Sequence, residues 1–325
     1  MSTNAKPIVQ FTFPTPDRTG FEELEKVCDV HYSDVHLSEP EKALETLDKD
    51  AVVLVSEFTQ PITAGLLGKM KELKLVANYA VGYNNIDLDY TRTHGITVAN
   101  TPHAVVTSTA ELTLAILLSL TRRVAEWDRM MRRQRSSDKG GLGGGMGHDL
   151  FGKKVGIIGF GNIGQRVGKL LQAFGCTILY NKRTRLTDAQ EKEMGVTFAT
   201  VDEILRRSDI ISLHTPLNAE SEHLLDAEAF GKMKPSAVVI NLSRGPVVDE
   251  HALLDALKSG KIAGAGLDVF EFRDQPLDEL YDLPNVVMTP HVGTQTYEAR
   301  YDMRVELANN IIGFLTGDRN VSVVR

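Results

Sequence analysis

Cysteine is nearly missing from this chain of 325 residues: Cys28 and Cys176 stand far apart and outside any CxxC or CxxH spacing. That excludes a disulfide framework, gives no zinc pattern and fits a reducing cytosol. Positive charge is also short. With 36 Lys and Arg against 43 Asp and Glu, the formal charge is −7, so the chain lacks the basic face with which general nucleic-acid binders displace counterions from phosphates. The basic run at 129–135 reads as a solvated helix face. Long apolar runs are absent too. The opening MSTNAKPIVQFTFP has no apolar core behind a basic start, so it does not resemble a signal peptide. The most apolar stretch, 111–120, is too short to span a bilayer and is followed by Arg122 and Arg123. A cytoplasmic protein without nucleic-acid or membrane partners is expected.

What the chain does have is alternation. Strand-like runs at 8–13, 51–55, 75–78 and 96–99 are separated by stretches of helical length, which predicts a small α/β domain over 1–100. Further strand-like runs at 155–158, 177–180, 210–213, 237–241, 264–269 and 286–289 predict a doubly wound parallel sheet over 101–291. The stretch 297–316 has the periodicity of one more helix. It cannot form a domain alone and must pack back onto an earlier lobe. Between 136 and 147, SSDKGGLGGGMG has almost no side chains for a core and reads as a connector.

The segment KVGIIGFGNIGQRVGKLLQA, 154–173, sets a GxGxxG loop between a strand-like run and an amphipathic helix-like run. Gly159 permits the tight turn, Gly161 the close approach of a pyrophosphate and Gly164 the packing of helix on strand. Backbone N–H groups at the helix start then face the anion. Three more segments follow strands of the same domain: LHTPL at 213–217, INLSRGPVVDE at 240–250 and TPHVGTQT at 289–296. Arg244 precedes Gly245 and Pro246, a turn that would push its guanidinium past the sheet edge, where it suits a carboxylate. His291, between Pro290 and Gly293, can give a proton to a carbonyl oxygen as hydride reaches the carbon.

With NYAVGYNNID at 78–87, the stretch 98–123 and AGLDVFE at 265–271, these segments make the chain resemble the D-isomer-specific 2-hydroxyacid dehydrogenases over nearly its whole length, and most of all their glyoxylate and hydroxypyruvate reductase branch. The resemblance implies a two-lobed α/β fold. A Rossmann-type doubly wound sheet, 101–291, would hold the cofactor, and a smaller flavodoxin-like substrate lobe would combine 1–100 with 292–325, with hinges near Thr101 and Pro290. It implies that Arg244 binds the substrate carboxylate and carbonyl, that His291 is the general acid/base, and that the N–H groups of Val81 and Gly82 close on the carboxylate. Gly159, Phe160, Gly161, Asn162, Ile163 and Gly164 would form the cofactor loop. Thr215, Pro216, Ser243 and Asp268 would also touch the cofactor, Pro216 at the adenine and Asp268 at the nicotinamide carboxamide. The function implied is reduction of a small 2-oxo acid, glyoxylate or hydroxypyruvate, to the D-2-hydroxy acid. A nucleotide-sensing interaction protein of the same fold is the second reading, and turnover with a panel of 2-oxo acids separates the two. Phosphite oxidation is disfavoured, because phosphite-oxidising relatives carry a Lys where this chain has Val81.

Two departures from the family pattern stand out. The acid that binds the cofactor ribose in NAD-preferring relatives is replaced by Lys182, followed by Arg183 and Arg185, which predicts NADP(H) over NAD(H). The Glu that family members place beside the catalytic His is replaced by Arg273, with Glu271 and Asp274 nearest. Asp274 is the acid expected to substitute, Glu271 the alternative, and without either His291 would lose support for its protonated form. Finally Leu112, Leu114, Ile116, Leu117, Leu118 and Leu120 surround most of one helix, and cover on more than one side predicts a homodimer. No metal site is expected.

Overall fold

The computed structural model describes residues 5–34, 36, 45–138, 145–272, 275–318 and 320–324. Part of the glycine-rich connector (139–144), Arg273 and Asp274, the expected acid, lie outside the described residues. The chain divides into two compact units, Met1–Val105 with Thr294–Arg325, and Val106–Gly293.

In the first unit, β1 (Ile8–Phe11), β2 (Asp29–His31), β3 (Val53–Ser56), β4 (Leu75–Asn78) and β5 (Thr97–Ala99) form one sheet in the order β2-β1-β3-β4-β5. Every pairing is parallel. β3 and β4 are buried along their whole length, as apolar strands covered on both faces must be. The last helix, Tyr297–Thr316, supplies Leu307, Ala308 and Ile311 to a core shared with Val9, Phe11, Leu24 and Val55. Val323 then bridges Ala99 in antiparallel fashion. The end of the chain is thus part of the first unit's core.

The second unit carries β6 (Lys154–Ile158), β7 (Thr177–Asn181), β8 (Val196–Phe198), β9 (Ile210–Leu213), β10 (Val238–Asn241), β11 (Gly264–Leu267) and β12 (Val286–Met288) in the order β12-β11-β10-β9-β6-β7-β8. Here too all pairings are parallel. Strand order reverses between β6 and β9. In open α/β sheets that reversal opens a crevice at the carboxyl ends of the strands, where ligands bind.

The apolar helix expected at a dimer interface is covered by its own unit. Leu114, Ile116, Leu117 and Leu120 on the helix Val106–Thr121 are buried within their own unit, in a core with Val155, Ile157 and Ile240. Only Leu112 and Leu118 are left half-buried. The helix is apolar around its circumference because the sheet and its neighbouring helix already cover it. Apolar surface is found instead on the next helix, Val124–Gln134, which has no buried residue. Val124 and Met131 on it are 54% and 51% exposed, with Met146 at 71% and Phe151 at 82% shortly after.

Candidate active site

The glycine loop leaves β6 at Ile158 and enters the helix Asn162–Ala173. Gly159 has φ +93°, and a Cβ there would stand 2.4 Å from the backbone carbon and oxygen of His214. The turn after β6 therefore abuts the turn after β9, and only glycine satisfies both the angle and the contact. At Gly164 a Cβ would meet the Gly159 carbonyl oxygen at 2.4 Å. Gly161 is different: it is exposed, and no atom lies within 4 Å of where its Cβ would stand. It caps the helix with no side-chain hydrogen bond, so the first N–H groups of a helix face an open backbone cradle. This is the geometry that a pyrophosphate requires, and the residues present fit a dinucleotide.

Phe160 serves the loop from behind. Its ring is buried 4.7 Å from that of Tyr180, and its N–H, like that of Gly159, donates to the Asn181 carbonyl. Asn162 is exposed and Ile163 half-buried. Beyond β9, Thr215 is half-buried and Pro216 exposed. His214 sits between the two turns, its Nε2 2.8 Å from the Ser212 hydroxyl. Its Nδ1 is buried with no hydrogen-bond partner among the described residues, and burial pushes its pKa down to about 4. The imidazole is neutral near pH 7 and puts no charge behind the cradle.

β10, β11 and β12 are neighbours in register, with Asn241 beside Leu267 and Leu267 beside Met288. Arg244, Asp268 and His291 follow these strands within three residues each, so all three emerge at one edge of the sheet. The sequence reading missed the residue that shapes the first turn. Asn241 accepts the N–H (3.0 Å) and hydroxyl (2.8 Å) of Ser243 and donates to the carbonyl of Arg244 at 3.0 Å. Its signal was present: an Asn at a strand end bonding two residues ahead is an Asx turn. Ser243 is buried by this, and its carbonyl accepts Arg244 Nη1 at 2.7 Å. Gly245 then passes so close to the next turn that a Cβ would collide with the Phe270 carbonyl oxygen.

Asp268 is buried and ties its turn to that of His291. Its carboxylate accepts the Thr289 hydroxyl (2.5 Å) and the N–H groups of Val292 (2.9 Å) and Gly293 (3.0 Å). Burial raises its pKa against the opposing pull of these donors. The His291 N–H is a further donor to this carboxylate, so protein groups take up about all four of its lone-pair sites. His291 has φ +56°, a left-handed conformation uncommon outside glycine and held here by the Asp268 bonds on its C-terminal side.

Glu271, the alternative acid, is committed elsewhere. Its Oε1 is 2.5 Å from His223 Nε2 and its Oε2 accepts the Glu250 N–H at 2.9 Å, while its own N–H donates to Glu250 Oε2 at 3.0 Å. The carboxylate raises the pKa of His223. In the first unit, Asn100 donates to the Val81 carbonyl at 2.7 Å and Asn78 to the Gly82 carbonyl at 2.6 Å. Because a trans peptide points its N–H opposite its C=O, these bonds turn the Gly82 and Tyr83 N–H groups away from the asparagines.

After β7, Lys182 is half-buried and Arg183 exposed. Neither forms an ion pair among the described residues. Arg185 does, binding Glu191 with Nε at 2.7 Å and Nη2 at 3.0 Å.

Residues 114–293 match the family model of the D-isomer specific 2-hydroxyacid dehydrogenase NAD binding domain. The chain belongs to the D-isomer-specific 2-hydroxyacid dehydrogenase family. A glyoxylate reductase of Thermococcus onnurineus is 39% identical to this dehydrogenase over 317 residues, 96% of this chain and 94% of that one. Among solved structures, a glyoxylate reductase from Paecilomyes thermophila superposes with a TM-score of 0.86 at 30% identity, covering 96% of this chain and 97% of that one. The NADPH-dependent glyoxylate/hydroxypyruvate reductase of Sinorhizobium meliloti, in complex with NADP and malonate, gives 0.86 at 26% identity, with 98% and 97% covered. The dehydrogenase is an oxidoreductase that uses a nicotinamide cofactor. No helix among its described residues is long and apolar enough to cross a membrane, and no group of three or more His, Cys, Asp or Glu among them is placed to hold a metal.

Proposed function

We propose that this dehydrogenase reduces a small 2-oxo acid, glyoxylate or hydroxypyruvate, to the D-2-hydroxy acid with NADPH. The observation that carries the reading is the delivery of Arg244, Asp268 and His291 to one sheet edge by three adjacent strands, in the unit that also holds the open Gly161 cradle. The bound cofactor supplies the hydride. Arg244 grips the substrate carboxylate and polarises its carbonyl, and the backbone N–H groups at Val81 and Gly82 are the first unit's candidates for substrate binding. His291 gives its proton to the carbonyl oxygen as the alkoxide forms. Asp268 holds the His291 turn beside the nicotinamide amide, while Thr215, Pro216 and Ser243 border the cofactor. Asp274 is proposed as the acid that supports protonated His291, since Glu271 is engaged by His223 and Glu250. Steady-state kinetics across glyoxylate, hydroxypyruvate and pyruvate with both cofactors test the reading. Absence of turnover with all three would overturn it.

Preference for NADPH rests on Lys182 and Arg183, two cations where an acid would exclude a 2′-phosphate. Lys182→Asp is expected to weaken NADPH by one to two decades, since a charge-assisted hydrogen bond is worth roughly 1.5–3 kcal/mol, and to affect NADH far less. Equal losses for the two cofactors would remove the assignment.

A homodimer is proposed through the helix Val124–Gln134 and the segment near Phe151, whose apolar side chains lack cover within their own unit. Light scattering at micromolar concentration should give twice the 35.8 kDa chain mass. A monomeric mass would count against it.

A further inference from the structure

The segment between β7 and the helix Asp188–Met194 is fixed at both ends. At its start, the Asn181 carbonyl accepts the N–H groups of Gly159 and Phe160, and the Asn181 amide donates to the Ala199 carbonyl at 2.9 Å. Its far end is held by the hydroxyl of Tyr180 in β7, a fully buried ring packed against Phe160 and Phe198. Its hydroxyl donates to Glu191 Oε1 at 2.7 Å and accepts the Leu186 N–H at 3.0 Å. Glu191 in turn holds the Arg185 guanidinium through both oxygens, and that guanidinium lies 5.3 Å over the Phe198 ring. Glu191 itself is anchored by a helix that opens with a capping box of Thr187 and Gln190. Lys182, Arg183 and Thr184 are strung between these two fixed points.

We propose that Glu191 is a positioning residue for cofactor choice: by joining Arg185 to Tyr180 it fixes the shape in which Lys182 and Arg183 meet the 2′-phosphate, and takes Arg185 out of phosphate reading. The inference rests on the NADPH reading above. A loop held before the ligand arrives loses little entropy on binding it, so the same two cations bind more tightly than they would on a loose segment. Hydrogen bonds from Arg185 and Tyr180 hold Glu191 down to a pKa of about 2, so the clasp stays charged across the working pH range. Without a 2′-phosphate, Lys182 and Arg183 have no anion for the clasp to aim them at, so NADH should be indifferent to it.

Equilibrium fluorescence titration of the full chain with NADPH and with NADH tests this, using Glu191→Ala, Glu191→Gln, Arg185→Met and the double variant Glu191→Ala/Arg185→Met. The clasp predicts that Glu191→Ala and Arg185→Met each raise the NADPH Kd about 5–10-fold, with Glu191→Gln in between and the double variant no worse than the singles, as for one coupled pair. The NADH Kd should move less than about twofold, which also shows that the variants are folded. If Arg185 touches the phosphate directly, the two single variants will act in opposite directions, Glu191→Ala tightening NADPH by releasing the guanidinium, and the proposal falls. It falls equally if both cofactors weaken together, the mark of a merely structural pair. Lys182→Asp run alongside separates the levels: if it fails to discriminate, the NADPH reading itself is wrong, and if it discriminates while the Glu191 variants do not, only the clasp is.

Discussion

Replacing His291 by Asn is expected to cut kcat by about 10²–10⁴-fold, the usual worth of a positioned proton donor, while NADPH binding survives. Asn is the informative substitution because the backbone at 291 is left-handed, with φ +56°. Asn enters that region readily, whereas Ala, like the parent His, bears its strain of roughly 1–2 kcal/mol without the local hydrogen bonds that relieve Asn. His291→Ala should therefore match Asn in chemistry and fall below it in thermal stability. Arg244→Ala removes the proposed carboxylate anchor and should raise KM and lower kcat together. Arg244→Lys keeps the charge but loses the planar fork, so only part of the loss is recovered. Asp274→Asn, assayed across pH, should narrow the range over which reduction proceeds if that carboxylate supports the protonated imidazole. Near-normal turnover in the His291 or Arg244 variants would show that the chemistry lies elsewhere.

The second large effect separates two glycines of one motif. Gly159→Ala must place a Cβ 2.4 Å from the His214 backbone at φ +93°, and backbone strain alone costs about 1–3 kcal/mol. It should lower the melting temperature and abolish cofactor binding. Gly161→Ala meets no protein atom within 4 Å. Its stability should stay within about 0.5 kcal/mol of the parent, yet in the proposed phosphate cradle the methyl would stand in the ligand's way, so NADPH and NADH should both weaken by one to two decades, about one lost charge-assisted hydrogen bond. Calorimetry with a cofactor titration checks the contrast. A destabilised Gly161→Ala, or one that binds normally, would mean that the cradle is not the phosphate site.

Elements with a long pattern were legible in the sequence. The helix Tyr297–Thr316 has the bounds its periodicity predicts, and the strands carrying Arg244 and His291 were found through their apolar runs. β2 and β8 were missed because DVH and VTF are interrupted by polar residues, whereas the equally short β5 and β12 sit in apolar runs. The first strand stops at Phe11 rather than continuing to residue 13, ahead of Pro14 and Pro16. What stayed hidden was the allegiance of charged groups. Glu271 looked available to His291 on spacing, but its partner His223 lies 48 residues away. Arg185 looked like one more phosphate ligand until Glu191, six residues on, was seen to hold it. Motifs name the residue types a site needs, whereas pairing across turns decides which of them are free to serve.

The last helix sharing a core with β1 has a consequence for how the protein is made. The unit Val106–Gly293 is one continuous stretch and can fold as soon as it leaves the ribosome. The first hundred residues emerge earlier and can gather one core cluster, Leu47 to Val98, yet cannot close the other until Leu307, Ala308 and Ile311 arrive. At about 5–20 residues per second, that wait is roughly 10–40 s, during which β3 and β4, destined for complete burial, stay open to chaperones and to one another's copies on neighbouring chains. A stop codon before the final helix would accordingly open one of the first unit's two core clusters and leave the cofactor unit intact.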